Sequence, residues 1–117
     1  MADKLSQVML DEVGATTTSS AFDVSQFKKL SIQVKATGVT TGNGVFTVEV
    51  SNDEGTTWKA YNRLITNVNA GTVVSSLALS ADGSNFLFFP EGDYFGMIRV
   101  ILTFTTNGKY SAYLKAV

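Results

Sequence analysis

The sequence predicts an all-β chain, an antiparallel β-sandwich or jelly roll of about eight to ten short strands. Three observations predict it. Apolar and polar residues alternate with a period of two in several segments, the mark of half-buried strands. Clusters of Gly, Asn, Asp and Ser punctuate those segments at short intervals. No segment shows the 3.6-residue periodicity of an amphipathic helix. At 117 residues, the chain reads as one domain spanning 1–117.

The elements follow in order. Leu5 to Leu10 is a short candidate strand, and Asp11 to Ser20 is small and polar. Residues 1–20 therefore read as an N-terminal arm or an edge strand. Asp23 and Ser25 are placed to cap a single turn. From Lys29 to Ala36, Leu30, Ile32 and Val34 point one way while Ser31, Gln33 and Lys35 point the other. Thr37 to Gly44 has loop chemistry, with three glycines and Asn43. The stretch Val45 to Trp58 organises the rest: Phe46, Val48 and Val50 share one side. Ser51-Asn52-Asp53-Glu54-Gly55 then turns the chain, and Trp58 opens a returning strand toward Tyr61. Leu64 to Val68 and Thr72 to Ser80 are further strands, separated by a turn at Asn69-Ala70-Gly71. Asp82-Gly83 is a turn. Phe86-Leu87-Phe88-Phe89 is the densest apolar run, and Pro90, lacking an N–H, ends central pairing. After a turn at Glu91-Gly92-Asp93, Tyr94 to Phe104 is the longest apolar strand. Thr105-Thr106-Asn107-Gly108 then reads as a tight hairpin with a type I′ turn, returning into Lys109 to Val117.

Composition narrows the function classes. There is no Cys and no His, so disulfides, thiolate metal sites and Ser-His or Cys-His arrangements are excluded. Nine Lys plus Arg against ten Asp plus Glu give a net charge of −1. Such neutrality does not point to nucleic acid, and it does little to keep copies apart. No run approaches the roughly 20 apolar residues of a membrane span. Met-Ala-Asp-Lys-Leu-Ser at the start lacks a signal peptide's apolar core, so synthesis in the cytoplasm is expected.

Candidate sites are few. Asn52, Asp53 and Glu54 are rich in oxygen but lack the spacing of a calcium loop, and read as a solvated turn. Trp58 and Tyr61, with Asn52 and Asp53, are a candidate sugar-contacting group; otherwise Trp58 covers one end of the core. Asp82 with Glu91 or Asp93 makes a poor carboxylate pair, and Gly42-Asn43-Gly44 is not a phosphate loop. Phe86, Phe88 and Phe89 cannot all face one core from a strand. Either the run is buried on both sides or a partner covers an apolar patch. No catalytic residues, metal ligands or cofactor-binding residues are assigned, and the chain is read as a non-enzyme.

Three pieces carry a resemblance. They are Ala21-Phe22-Asp23-Val24-Ser25-Gln26-Phe27-Lys28-Lys29-Leu30-Ser31-Ile32-Gln33-Val34, Val48 through Trp58, and Met97-Ile98-Arg99-Val100 with Asn107-Gly108-Lys109-Tyr110-Ser111-Ala112-Tyr113-Leu114. Together they resemble small β-sandwich structural proteins of tailed bacteriophages, including capsid decoration (cement) proteins. A Ser-Asn-Asp-Gly-Thr-x-Trp turn also occurs in carbohydrate-binding sandwiches; this sequence inserts Glu54 before Gly55, which lengthens that loop. The resemblance implies a virion protein on the capsid surface that stabilises the head shell. Its expected partners are the major capsid protein and copies of itself, as a homodimer or homotrimer. No nucleic acid, membrane, cofactor or small-molecule ligand is expected. Candidate interface residues are Leu5, Val8, Leu10, Phe86, Phe88 and Phe89. The alternative is a carbohydrate-binding module of a phage tail or receptor-binding device, contacting glycan through Asn52, Asp53, Trp58 and Tyr61.

Overall fold

The alternation of residue types along the long strands becomes an alternation of burial. The computed structural model describes residues 4–66, 73–90 and 95–117, and all the regular structure in them is strand. In chain order these are β1 (Leu5–Val13), β2 (Thr17–Thr18), β3 (Phe22–Asp23), β4 (Leu30–Thr37), β5 (Gly44–Ser51) and β6 (Lys59–Ala60). They continue with β7 (Leu64–Thr66), β8 (Val73–Val74), β9 (Leu77–Leu79), β10 (Gly83–Phe88), β11 (Met97–Phe104) and β12 (Lys109–Ala116). The count exceeds the expected eight to ten because several edge pieces are only two residues long. The segment 72–80 read as one strand is broken at Ser75-Ser76 into β8 and β9, which join different sheets. The turns expected at 69–71 and 91–93, and residues Val68 and Tyr94, lie outside the described residues.

Two antiparallel sheets pack face to face. The first has the order β1-β12-β4-β10-β7-β8; the second runs β2-β11-β5-β6, with β3 also on β11 and β9 also on β5. Leu30, Ile32, Val34 and Ala36 of β4, with Tyr110, Ala112 and Leu114 of β12, line the inner face of the first sheet. Opposite them stand Phe46 and Val48 of β5 and Ile98, Val100 and Leu102 of β11, all fully buried. Each such side chain contributes about 1.5–3 kcal/mol by leaving water. Phe46 meets Tyr110 edge-on across the sandwich, ring centroids 6.1 Å apart, and Phe104 meets it at 5.7 Å. Gly44 makes room for this ring: a Cβ there would stand 2.5 Å from Tyr110.

The N-terminal segment is an edge strand along β12, with Leu5 opposite Ala116 and Val8 opposite Tyr113. Its pairing is interrupted by irregularities between Val8 and Leu10 and between Leu10 and Val13. The polar run that follows is tied to β11. Ser19 N–H donates to the Val100 carbonyl, and Val100 N–H donates to Ser19 Oγ, both at 2.9 Å.

One connection corrects the sequence reading. Strands β11 and β12 do not form a hairpin: β11 pairs with β5, while β12 pairs with β4 and β1. The 105–108 loop carries the chain from one sheet to the other. A type I′ turn needs positive φ at both central residues; Gly108 has it at 107°, but Asn107 does not. The loop's polar groups are instead engaged by the 40–43 loop. Thr40 N–H donates to Asn107 Oδ1 at 3.1 Å and Asn43 N–H to Thr105 Oγ1 at 2.7 Å. Thr106 Oγ1 donates to the Thr41 carbonyl.

Candidate functional site

The outward rows of the first sheet follow from its register. Val73 pairs with Ile65, Ile65 with Phe88, Phe88 with Ser31, Ser31 with Lys115 and Lys115 with Ser6. The neighbouring row runs Phe86, Gln33, Tyr113, Val8. Directly paired residues share a face, so both rows lie on the side away from the core. Phe86 and Phe88, two apart on β10, stack with centroids 5.8 Å apart and planes 12° from parallel. Phe88 is 40% exposed, Val73 56% and Val8 54%. These are three of the four exposed large hydrophobics among the described residues, and all three sit on this one face. A cleft of about 400 Å³ lies beside Phe88, bordered by Lys29, Ser31, Lys115 and Val117.

The expected interface residues therefore separate. Val8, Phe86 and Phe88 share the outer face. Leu5 is half-buried beside Ala116, and Leu10 is buried in the core. Phe89 is 8% exposed and turned inward, 5.0 Å from the ring of Tyr61 and 5.8 Å from that of Phe95. It holds the core because neighbours along an extended chain face opposite ways: Leu87 and Phe89 point in and Phe88 points out, and the Phe89 N–H still donates to the Leu30 carbonyl at 3.4 Å. Ile65 and Val73, which the sequence reading left out, complete the band. Their signal was present: β-branched residues on both faces of short strands.

Of the residues grouped as a glycan site, Asn52, Asp53 and Trp58 belong to one turn and Tyr61 is set apart from it in the core. Tyr61 is 8% exposed, packed between Phe89 and Phe95. Trp58 lies on the outer face of the second sheet with Arg99 Cζ 4.2 Å from its ring centroid. Its Nε1 donates to the Gly55 carbonyl at 3.0 Å. Arg99 is in turn held by Glu49, its cross-strand partner, with Nη2 2.6 Å from Oε1. Asn52 and Asp53 serve the backbone: Gly96 N–H donates to Asn52 Oδ1 at 2.7 Å, and Thr57 N–H to Asp53 Oδ1 at 2.8 Å. The Thr57 N–H and the Ser51 hydroxyl hold the Asp53 carboxyl below its ordinary pKa. Asp23 is lowered in the same way by Ser25, and Asp82 by the Val39 and Gly38 amides. Asp82 thus closes a loop, while Glu91 and Asp93 lie outside the described residues. Among the described residues no group of three or more Asp and Glu is gathered as for a metal ion. No helix there is long and apolar enough to cross a membrane.

No family model matches the sequence, and no curated protein matches it. Solved structures share the fold. The SPBc2 prophage-derived protein YomS superposes with a TM-score of 0.73 at 11% identity, over 98% of this chain and 94% of that one. PirA superposes with a TM-score of 0.51 at 10% identity, over 100% of this chain and 95% of that one. At such identities the likeness is one of fold: a β-sandwich that recurs, over nearly its whole length, in a prophage-derived protein.

Proposed function

We propose that this chain is a bacteriophage virion protein that works by contact and without catalysis, a capsid decoration protein bound to the head shell. The observation that carries the reading is the band Val73, Ile65, Phe88, Phe86 on the outer face of a sheet whose core face is already filled. Exposed apolar surface gathered on one face marks a place that a partner covers. The face spans six strands, about 25 Å at the usual strand spacing. That is close to the edge of a standard interface of about 800 Å² per partner. The prophage origin of YomS supports the phage setting. The major capsid protein is the proposed partner, with copies of this chain associating as homodimers or homotrimers. Repetition over a shell would add avidity to a modest single contact.

The test is co-sedimentation with undecorated heads of the encoding phage. Wild-type protein is expected to pellet with the heads and to raise their disruption temperature. Phe88→Ser with Val73→Ser is expected to stay in the supernatant while keeping the wild-type circular dichroism spectrum. Wild-type protein that never pellets with heads would overturn the decoration reading.

A further inference from the structure

We infer that the Phe88 end of this face docks an acidic protein segment that carries an apolar anchor. The anchor packs on Phe88 and into the cleft beside it, and flanking carboxylates meet Lys29 and Lys115. The inference rests on the contact reading above and specifies the chemistry of the partner.

Charge complementarity carries the argument. Lys29 and Lys115 both border the cleft beside Phe88. Lys115 lies in the same cross-strand row as Phe88, with Ser31 between them. The Lys29 backbone is fixed by a two-way bridge: its N–H donates to the Val117 carbonyl at 3.0 Å, and Val117 N–H donates to the Lys29 carbonyl at 3.0 Å. Among the described residues neither lysine has an ion-pair partner; the pair found there, Arg99 with Glu49, is on the other sheet. The far end of the same face differs. There Lys35 and Lys109 border a polar cleft together with Asp11 and Glu12, so charge is balanced within the chain. Among the described side chains, positive charge without an ion-pair partner on this face is therefore concentrated where the exposed aromatic ring is. Such a border attracts carboxylates and repels basic partners.

Other occupants fit less well. Two copies meeting through this end would bring lysines toward lysines. A nucleic acid calls for a longer basic track, and the chain has ten acidic residues against nine basic ones.

The experiment uses the folded chain and labelled synthetic peptides, read by fluorescence anisotropy. One peptide alternates glutamate with phenylalanine; its counterpart alternates lysine with phenylalanine; an oligothymidylate of similar length is the third probe. The acidic peptide is expected to bind, and its basic counterpart is expected to bind at least tenfold more weakly. Lys29→Glu with Lys115→Glu is expected to weaken the acidic peptide at least fivefold, as is 0.5 M salt, which shortens the screening length to a few ångströms. Lys29→Arg with Lys115→Arg keeps the charge and should keep the binding, and Phe88→Ser should lose it. Equal binding of the two peptides, indifference to the charge reversal, preference for the oligothymidylate, or no binding of the acidic peptide at millimolar concentration would each overturn the inference. The same variants on phage heads separate the two readings. Wild-type binding that survives charge reversal sinks the acidic-partner inference and leaves decoration standing. Absence of wild-type binding sinks decoration, and the peptide result still decides the inference.

Discussion

Tyr110 shows how much one side chain settles. Its ring fills the space between the sheets, and its hydroxyl donates to the Asn107 carbonyl at 3.2 Å. Burial, then the charge of Asp82, raises its pKa above the ordinary value. The folded state thus holds this proton more tightly than the unfolded chain does. Its stabilising effect is complete below about pH 10 and is lost as pH rises through the folded value. Asp23, Asp53 and Asp82 are shifted downward, so their contribution is present above about pH 4 and is lost as pH falls through the lowered values. Urea midpoints measured from pH 3 to pH 11 are expected to form a plateau with a fall at each end. Tyr110→Phe should flatten the alkaline fall; an unchanged alkaline limb would refute that origin. Gly44→Ala, which forces a methyl into the Tyr110 ring, is expected to cost about 1–3 kcal/mol by overpacking. Denaturant unfolding would measure it, and no loss would mean that the ring is free to move. The alternation around these residues was legible in the sequence. That Gly44 lies beneath Tyr110 was not, since the contact joins two sheets across 66 positions.

At the scale of elements, turns set the outcome more than strands do. The β5–β6 hairpin was readable because Ser51-Asn52-Asp53-Glu54-Gly55 bonds its own backbone: Gly55 N–H donates to Ser51 Oγ at 3.0 Å. Glu54 nevertheless takes a left-handed φ of 59°, next to Gly55 at 85°. A residue with a Cβ is disfavoured there by about 1–2 kcal/mol. Glu54→Gly is therefore expected to raise stability by roughly 0.5–1 kcal/mol, after part of the gain is lost to the freer unfolded chain. A lower urea midpoint would refute it. The 105–108 turn misled for a physical reason. Asn-Gly reports a tendency to turn, whereas the sheet that receives the next strand is chosen by what the loop bonds to. Here Asn107 Oδ1 accepts from the Thr40 and Thr41 amides at 3.1 and 3.4 Å. Asn107→Ala leaves those amides to water and is expected to cost about 1 kcal/mol; a denaturation curve within error of wild type would show the loop held by Thr105, Thr106 and the backbone without Asn107.

The whole molecule is a sandwich with two unlike outer faces. On the second sheet, Glu49, Arg99 and Trp58 satisfy one another within the chain. On the first, Phe88, Val73 and Val8 stand in the open, and Lys29 and Lys115 at one side have no ion-pair partner among the described residues. Period-two patterning separates Phe86 and Phe88 from Phe89, whereas the expected interface took Phe86, Phe88 and Phe89 together as a dense apolar run and Leu5, Val8 and Leu10 together as an arm. The pattern cannot tell which strands lie side by side, so the joining of Ile65 and Val73 into the same band emerged only with the register. Because Phe88 packs on Phe86 and not on the core, Phe88→Ser should cost no more than about 1–2 kcal/mol of unfolding free energy, about what the stack and its partial burial are worth. It should also raise the concentration at which the protein scatters light. A loss of several kcal/mol would mean that Phe88 belongs to the core after all.

The order of the first sheet also bears on how the chain is made. Among the described residues strand β1 has a single neighbour, β12, with Leu5 opposite Ala116 and Val13 opposite Tyr110. Strand β12 also separates β1 from β4. At roughly 5–20 residues per second, a ribosome needs on the order of 5–20 s to add the intervening chain. During that interval the N-terminal strand has no native place to go, and the edge of β4 that β12 will occupy stands open. Strand β12 is the keystone of its sheet, and β1 is the strand that waits longest for its neighbour.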